Sequence, residues 1–255
     1  MSLVLADYLN KGMPIFQPRL PCSEWGRMSI AKKWQLYRED VKKIVKCARD
    51  GRVPITEEQI ISKQKINGYN ILSFGNGKDI YLMKWQELLG KAEFEKTFKE
   101  KRALDIGAGW GELVRSLRCW EGHDKPNDPY CLAEGIDPNY ELVQKLNVPF
   151  IKIGDALNLP YPDNTFEAVI CTEVFGRELP YYPLYSPEQI LTALCEMHRV
   201  LKPGGLAFFT INNSRYRGSN YDYDQSLQIW LKEVGFETVI PLDKNDHIIS
   251  RKQRA

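Results

Sequence analysis

The 255-residue chain has no apolar run near the roughly 18 to 20 residues that a membrane span requires. Its opening, MSLVLADYLNKG, has neither a basic leader nor a small-residue cleavage pattern. No membrane association is expected, and the cytoplasm is the expected compartment. Paired cysteines are missing too: Cys22, Cys47, Cys119, Cys131, Cys171 and Cys195 are scattered, without a C-x-x-C or a histidine at zinc-ligand spacing. That excludes a disulfide framework and a structural metal, leaving the six to be read as core thiols. Internal repeats and low-complexity tracts are absent, and a composition with 43% hydrophobic residues is that of an ordinary globular protein rather than a disordered one. The length suits one large α/β domain, or a domain of ordinary size with an extension.

Charge is nearly balanced at +2, but unevenly spread: residues 1–100 carry 18 basic and 12 acidic side chains, the remainder 17 and 21. The organisation changes at the same place. From residue 101, short apolar runs (ALDIG, CLAEGID, PFIKIGD, FEAVICTEVF, LAFFTIN) alternate with helical patterns, which implies a parallel sheet. Two last strands near FETVIPL and HIISRK close it as a hairpin. The helix SPEQILTALCEMHRVL should stop at Lys202-Pro203-Gly204-Gly205, where the glycines suit a left-handed C-cap. Before residue 101 the pattern is a proline-bearing arm, then a helix over about Ser29–Arg49. Trp34, Tyr37, Val41, Ile44 and Ala48 form its docking stripe, leaving Lys33, Lys42, Lys43, Lys46 and Arg49 largely to other faces. A helix near Thr56–Lys65, a hairpin turn at Asn76-Gly77 and a helix over about Leu82–Lys99 follow. The expected division is 1–100 as a mainly helical extension or lid, and 101–255 as the catalytic domain.

The chemistry begins at Leu104-Asp105-Ile106-Gly107-Ala108-Gly109-Trp110-Gly111-Glu112, a strand running through glycines into a helix. Such glycines let a nucleoside cofactor approach the backbone. Glu112 stands where a dinucleotide fingerprint needs its last glycine, and would repel a pyrophosphate at the helix start. A cofactor bearing an ammonium and a sulfonium tolerates Asp105 and Glu112, which points to S-adenosyl-L-methionine. Asp137 closes the second strand and Asp155 the third, on the edge where open α/β sheets bind ligands. A carboxylate at 137 can accept both ribose hydroxyls, and one at 155 the adenine amino group. Alternatively Asp137 caps the next helix and Asp155 closes a turn.

With these residues, the run Gly154-Asp155-Ala156-Leu157-Asn158-Leu159-Pro160-Tyr161-Pro162-Asp163-Asn164-Thr165-Phe166-Glu167 and the later Met197-His198-Arg199-Val200-Leu201-Lys202-Pro203-Gly204-Gly205 resemble the class I S-adenosylmethionine-dependent methyltransferases, in their small-molecule, type 11-like branch. Over about residues 101–250 the resemblance implies a Rossmann-like seven-stranded sheet with its last strand antiparallel. It sets Gly107 and Gly109 beside the methionine part, with Asp105, Ala108 and Gly111 in the same loop. Asp137 falls on the ribose, Pro138 against the adenine face, and Asp155 with Ala156 on adenine. Gly111 and Asp137 stand 26 residues apart rather than about 20, so Trp120–Tyr130 is read as an inserted loop. Where relatives often read E-V-x-x-H, this chain reads Glu173-Val174-Phe175-Gly176-Arg177, and no histidine role carries over. His198 is read as structural.

Glu173, at the exit of the fourth strand, is the candidate for orienting or deprotonating an acceptor. Tyr181, Tyr182, Tyr185 and Tyr216 follow the fourth and fifth strands and are candidates to line an acceptor pocket. The expected activity is methyl transfer to a small molecule. Transfer to RNA or protein through the basic N-terminal helix, and a cofactor-binding regulatory protein without turnover, are the alternatives.

Overall fold

A computed structural model describes residues 28–52, 56, 58–61, 79–123, 128–172, 174, 187–210, 223–241 and 247–254. The expected Asn76-Gly77 turn lies outside them, as does the helix following Thr56 beyond residue 61. Its start is described: Thr56 and Gln59 cap each other reciprocally, each backbone N–H donating to the other's side chain at 2.8 and 3.3 Å.

Seven strands form one sheet: β1 Arg102–Ile106, β2 Leu132–Asp137, β3 Ile151–Ile153, β4 Phe166–Thr172, β5 Leu201–Thr210, β6 Phe236–Ile240 and β7 His247–Lys252, in the order β3-β2-β1-β4-β5-β7-β6. The first five pair in parallel, while β7 runs antiparallel to both β5 and β6. This is the Rossmann-like arrangement with an antiparallel last strand. The period of two sorts neighbouring side chains to opposite faces. Val169, Cys171, Ala207, Phe209 and Ile248 enter one core, and Ala168, Ile170, Leu206, Phe208 and Ile249 the other.

The helices are α1 Ile30–Asp50, α2 Asp79–Leu89, α3 Lys91–Phe98, α4 Glu112–Arg118, α5 Tyr140–Leu146, α6 Pro187–Val200 and α7 Tyr223–Val234. The segment before β1 serves both faces. Leu82 and Trp85 of α2 and Phe94 and Phe98 of α3 join the core beneath α4, while α1 packs on α6 and α7 across the sheet. Ser29 caps α1, and its aromatic side docks as expected, with Trp34, Tyr37, Val41 and Val45 buried. Each such side chain contributes roughly 1.5 to 3 kcal/mol before entropy is counted.

The structure changes four local expectations. Lys33 is buried rather than turned to solvent, because it heads the i, i+4 row of Tyr37, Val41 and Val45, where a lysine can bury its aliphatic stem. The helix expected over about Leu82–Lys99 is two helices, broken at Gly90 with φ +77. Helix α6 ends at Val200, and Gly204, with φ +80, lies inside the opening of β5 instead of capping the helix. There an added Cβ would stand 2.9 Å from Arg254 Nε. Among the cysteines, Cys131, Cys171 and Cys195 are core thiols, but Cys47 and Cys119 are exposed. Burial pushes the Cys131 thiol up to about 12 and the Cys195 thiol to about 11, so neither is a nucleophile at neutral pH.

Candidate functional site

The strand order reverses between β1 and β4, and at that switch the carboxyl ends of neighbouring parallel strands deliver the site residues to one edge. Strand β1 ends in the glycine loop. Gly107, Gly109 and Gly111 all take positive φ, at +73, +53 and +72, a region that side chains disfavour. The surroundings are as restrictive as the backbone. An added Cβ at Gly107 would lie 2.4 Å from Val174 Cγ2, and one at Gly111 2.0 Å from Ile151 Cδ1. The amides of Gly107 and Ala108 both donate to the Ile136 carbonyl at 2.9 Å, which pins the loop to the end of β2.

Asp137 ties the loop to the next strand. Its Oδ2 accepts from the Gly109 amide at 2.9 Å and its Oδ1 from the Asn139 amide at 2.8 Å. The helix-capping role falls instead to Asn139, whose side chain accepts from Leu142 at the start of α5. Desolvation raises the Asp137 pKa above its ordinary 3.8, and the two amide bonds only partly offset that. An ionised carboxylate offers about four lone-pair positions, so two remain for a diol. Pro138 follows, half-buried.

Asp155 sits just past β3 and closes a turn. Its Oδ1 accepts from the Leu157 amide at 2.9 Å and its carbonyl from the Asn158 amide at 3.0 Å. The turn reading of Asp155 therefore holds. Ala156 is buried beside it, and Asp105 is buried at the end of β1. The edge thus combines a loop whose three glycines take positive φ with the buried carboxylates of Asp105, Asp137 and Asp155. Close backbone approach beside acidic side chains fits an adenosine carrying a cationic tail.

Glu173, Tyr181, Tyr182, Tyr185 and Tyr216 lie outside the described residues. Of the residues flanking Glu173, Thr172 ends β4 buried, and Val174 packs over Gly107. His198 is half-buried against Phe236 and held down to about 4 by desolvation and by Lys252 and Arg49. Among the described residues no group of three or more His, Cys, Asp or Glu side chains could hold a metal ion, and no helix is long and apolar enough to cross a membrane.

Residues 104–209 match the family model described as a methyltransferase domain. Those residues form a methyltransferase domain. It is similar to the fatty-acid O-methyltransferase of Mycolicibacterium smegmatis, at 31% identity over 157 residues, 57% of this chain and 51% of that protein. It is also similar to the demethylmenaquinone methyltransferase of Geobacillus sp., at 33% over 129 residues, 48% of this chain and 49% of that one. The chain thus spans about half the length of these curated relatives. The PH0226 protein of Pyrococcus horikoshii superposes with a TM-score of 0.48 at 17% identity, over 68% of this chain and 91% of that one.

A buried carboxylate next to the turn that follows β3 escaped sequence reasoning. Glu196 on α6 accepts from the Leu159 amide at 2.8 Å and from Arg199 Nε and Nη2 at 2.8 Å. The available signal was the Glu-x-x-Arg spacing within a helix.

Proposed function

We propose that the domain binds S-adenosyl-L-methionine along this edge and transfers its methyl group to a small-molecule acceptor. In this reading Asp137 accepts the ribose hydroxyls. Asp155 and Ala156 meet the adenine, and Pro138 lies against its face. Asp105, Gly107, Ala108, Gly109 and Gly111 receive the methionine part. The observation that carries it is the convergence of the glycine loop and both acids at the switch point, with Asp137 bonded to Gly109 at 2.9 Å. Glu112, in the first turn of α4, disfavours a pyrophosphate and hence a nicotinamide dinucleotide.

The cofactor supplies a methyl group on a sulfonium, an electrophile that needs a nucleophile in line behind it. The chain's contribution is alignment and exclusion of water. Glu173, one residue beyond the end of β4, is the group we assign to orient the acceptor or take its proton, and Tyr181, Tyr182, Tyr185 and Tyr216 are assigned to its pocket. Residues 101–255 are assigned the cofactor and residues 1–100 the choice of acceptor. The named activities of the two relatives, on fatty acids and on demethylmenaquinone, support a small apolar acceptor. The unpaired thiols of Cys47, Cys119, Cys131, Cys171 and Cys195 support a reducing, cytoplasmic setting.

The test is transfer of a labelled methyl group to lipid, small-metabolite, RNA and protein fractions. Label entering an organic-soluble product, with little salt dependence, is the expected result. Label entering RNA, with activity falling steeply as salt rises and lost on reversing Lys42, Lys43 and Lys46 to Glu, would replace the small-molecule reading. Cofactor binding without label in any fraction would indicate a regulatory protein.

A further inference from the structure

The end of α1 reaches the turn that carries Asp155. Arg52, just past the cap of α1 at Gly51, places its Nη2 3.1 Å from the Leu159 carbonyl and its Nε 3.1 Å from Glu196 Oε1. Arg199 makes the same two attachments, donating to the Leu159 carbonyl at 3.0 Å and to both oxygens of Glu196 at 2.8 Å, and it also pairs with Asp163 at 2.9 Å. With the Leu159 amide, Glu196 accepts three hydrogen bonds, and Arg52 adds an ion pair at 3.1 Å. Two arginines and two acids balance, and the Glu196 side chain is only 7% exposed.

Leu159 directly follows the turn from Asp155 to Asn158, and the network holds both its amide and its carbonyl. Its position is consequently set by two elements, α6 through Glu196 and Arg199, and α1 through Arg52. Removing Arg52 leaves Glu196 and Asp163 to share one cation, and frees the N-terminal side of the clamp.

We infer that Arg52 is a positioning residue for the adenine side of the cofactor site, through which the N-terminal segment sets cofactor affinity. This rests on the assignment of Asp155 to adenine given above. A guanidinium is needed because one planar fork must meet a carbonyl and a carboxylate together, which a single ammonium does poorly.

Two measurements on the full chain test it: calorimetric Kd for S-adenosyl-L-methionine, and amide hydrogen exchange of residues 155–160 without cofactor. Arg52→Ala should weaken binding roughly threefold to tenfold, as expected for a partly exposed charged pair, and should speed exchange at the Leu159 amide. Arg52→Lys should fall between that variant and the wild type. Arg251→Ala, which breaks an ion pair to Glu93 at 3.0 Å from an arginine as exposed as Arg52, is the control and should leave both readouts unchanged. Wild-type affinity in Arg52→Ala overturns the inference whether or not exchange rises. Weaker binding with unchanged exchange, or equal weakening by the control, also overturns it. Failure of the wild type itself to bind would instead overturn the cofactor reading, and the inference with it.

Discussion

Asp137 is where the cofactor reading is most exposed to test, because one side chain there has two tasks. Without ligand, its oxygens hold the amides of Gly109 and Asn139 at 2.9 and 2.8 Å. With ligand, the same oxygens are assigned the ribose hydroxyls. Asp137→Ala removes both acceptors and strands two amides, each worth about 1 to 3 kcal/mol when buried without a partner. It also removes a charge whose burial is unfavourable, as the raised pKa shows, so the net loss of stability should be smaller than the two amides alone imply. Cofactor binding has no such compensation. Loss of charge-assisted bonds to the diol should cost roughly 1.5 to 3 kcal/mol, or about 10- to 150-fold in Kd. The pH dependence has a definite sign. Since the ligand-free pKa lies above 3.8, ionised Asp137 lowers stability, and its contribution improves as pH falls through the raised value. The ribose hydroxyls need the ionised acceptor, so affinity should weaken over that same descent, starting at a higher pH than for an ordinary aspartate. Calorimetry from pH 8 downward, on the wild type and on Asp137→Ala, reads both effects. A folded Asp137→Ala protein with wild-type affinity would remove this carboxylate from the ligand.

Gly111→Ala should destabilise the fold by roughly 2 to 4 kcal/mol in urea titration, from left-handed backbone strain plus a Cβ placed 2.0 Å from Ile151 Cδ1. Adding Ile151→Val, which removes that methyl, should recover part of the loss; no recovery would mean that the backbone strain dominates. His198, held at about 4 against an ordinary 6.5, leaves the unfolded chain binding a proton that the folded one refuses, so stability should fall as pH drops from 6.5 towards 4. The full window is worth up to roughly 3 kcal/mol, and His198→Gln should flatten that part of the curve. An equal slope in the variant would assign the acid loss to carboxylates such as Glu134 and Glu167, whose partners hold their pKa values down.

The parallel strands and the ligand edge were legible because their demands are local. A strand buried on both faces needs a continuous apolar run, as in β4, and a backbone at positive φ selects glycine, as at Gly107, Gly109 and Gly111. The same logic misled at Gly90 and Gly204. A lone glycine in a helical pattern looks tolerable until its φ is known, and a glycine pair after a helix suits a cap as well as it suits the bent opening of a strand. Lys33 misled because residue type was allowed to outweigh its place in the Tyr37, Val41 and Val45 row.

Contacts between segments distant in sequence are a different matter. The stripe on α1 announces a docking face but not its partner, since α6 and α7 present apolar surface of the same kind as the opposite face of the sheet. Arg52 is one of 35 basic residues, and nothing in its neighbours in sequence points to a carbonyl 107 positions away. Only the acceptor side carried a mark, in the Glu196 and Arg199 pair three residues apart. A buried carboxylate with one adjacent arginine and one amide donor still has a lone-pair position to fill, whereas Asp163, at 67% exposed, is open to solvent. The burial of Glu196 favours a second cation near that pair. The fold recruits it from the segment that precedes the domain, which ties that segment to the turn bearing Asp155.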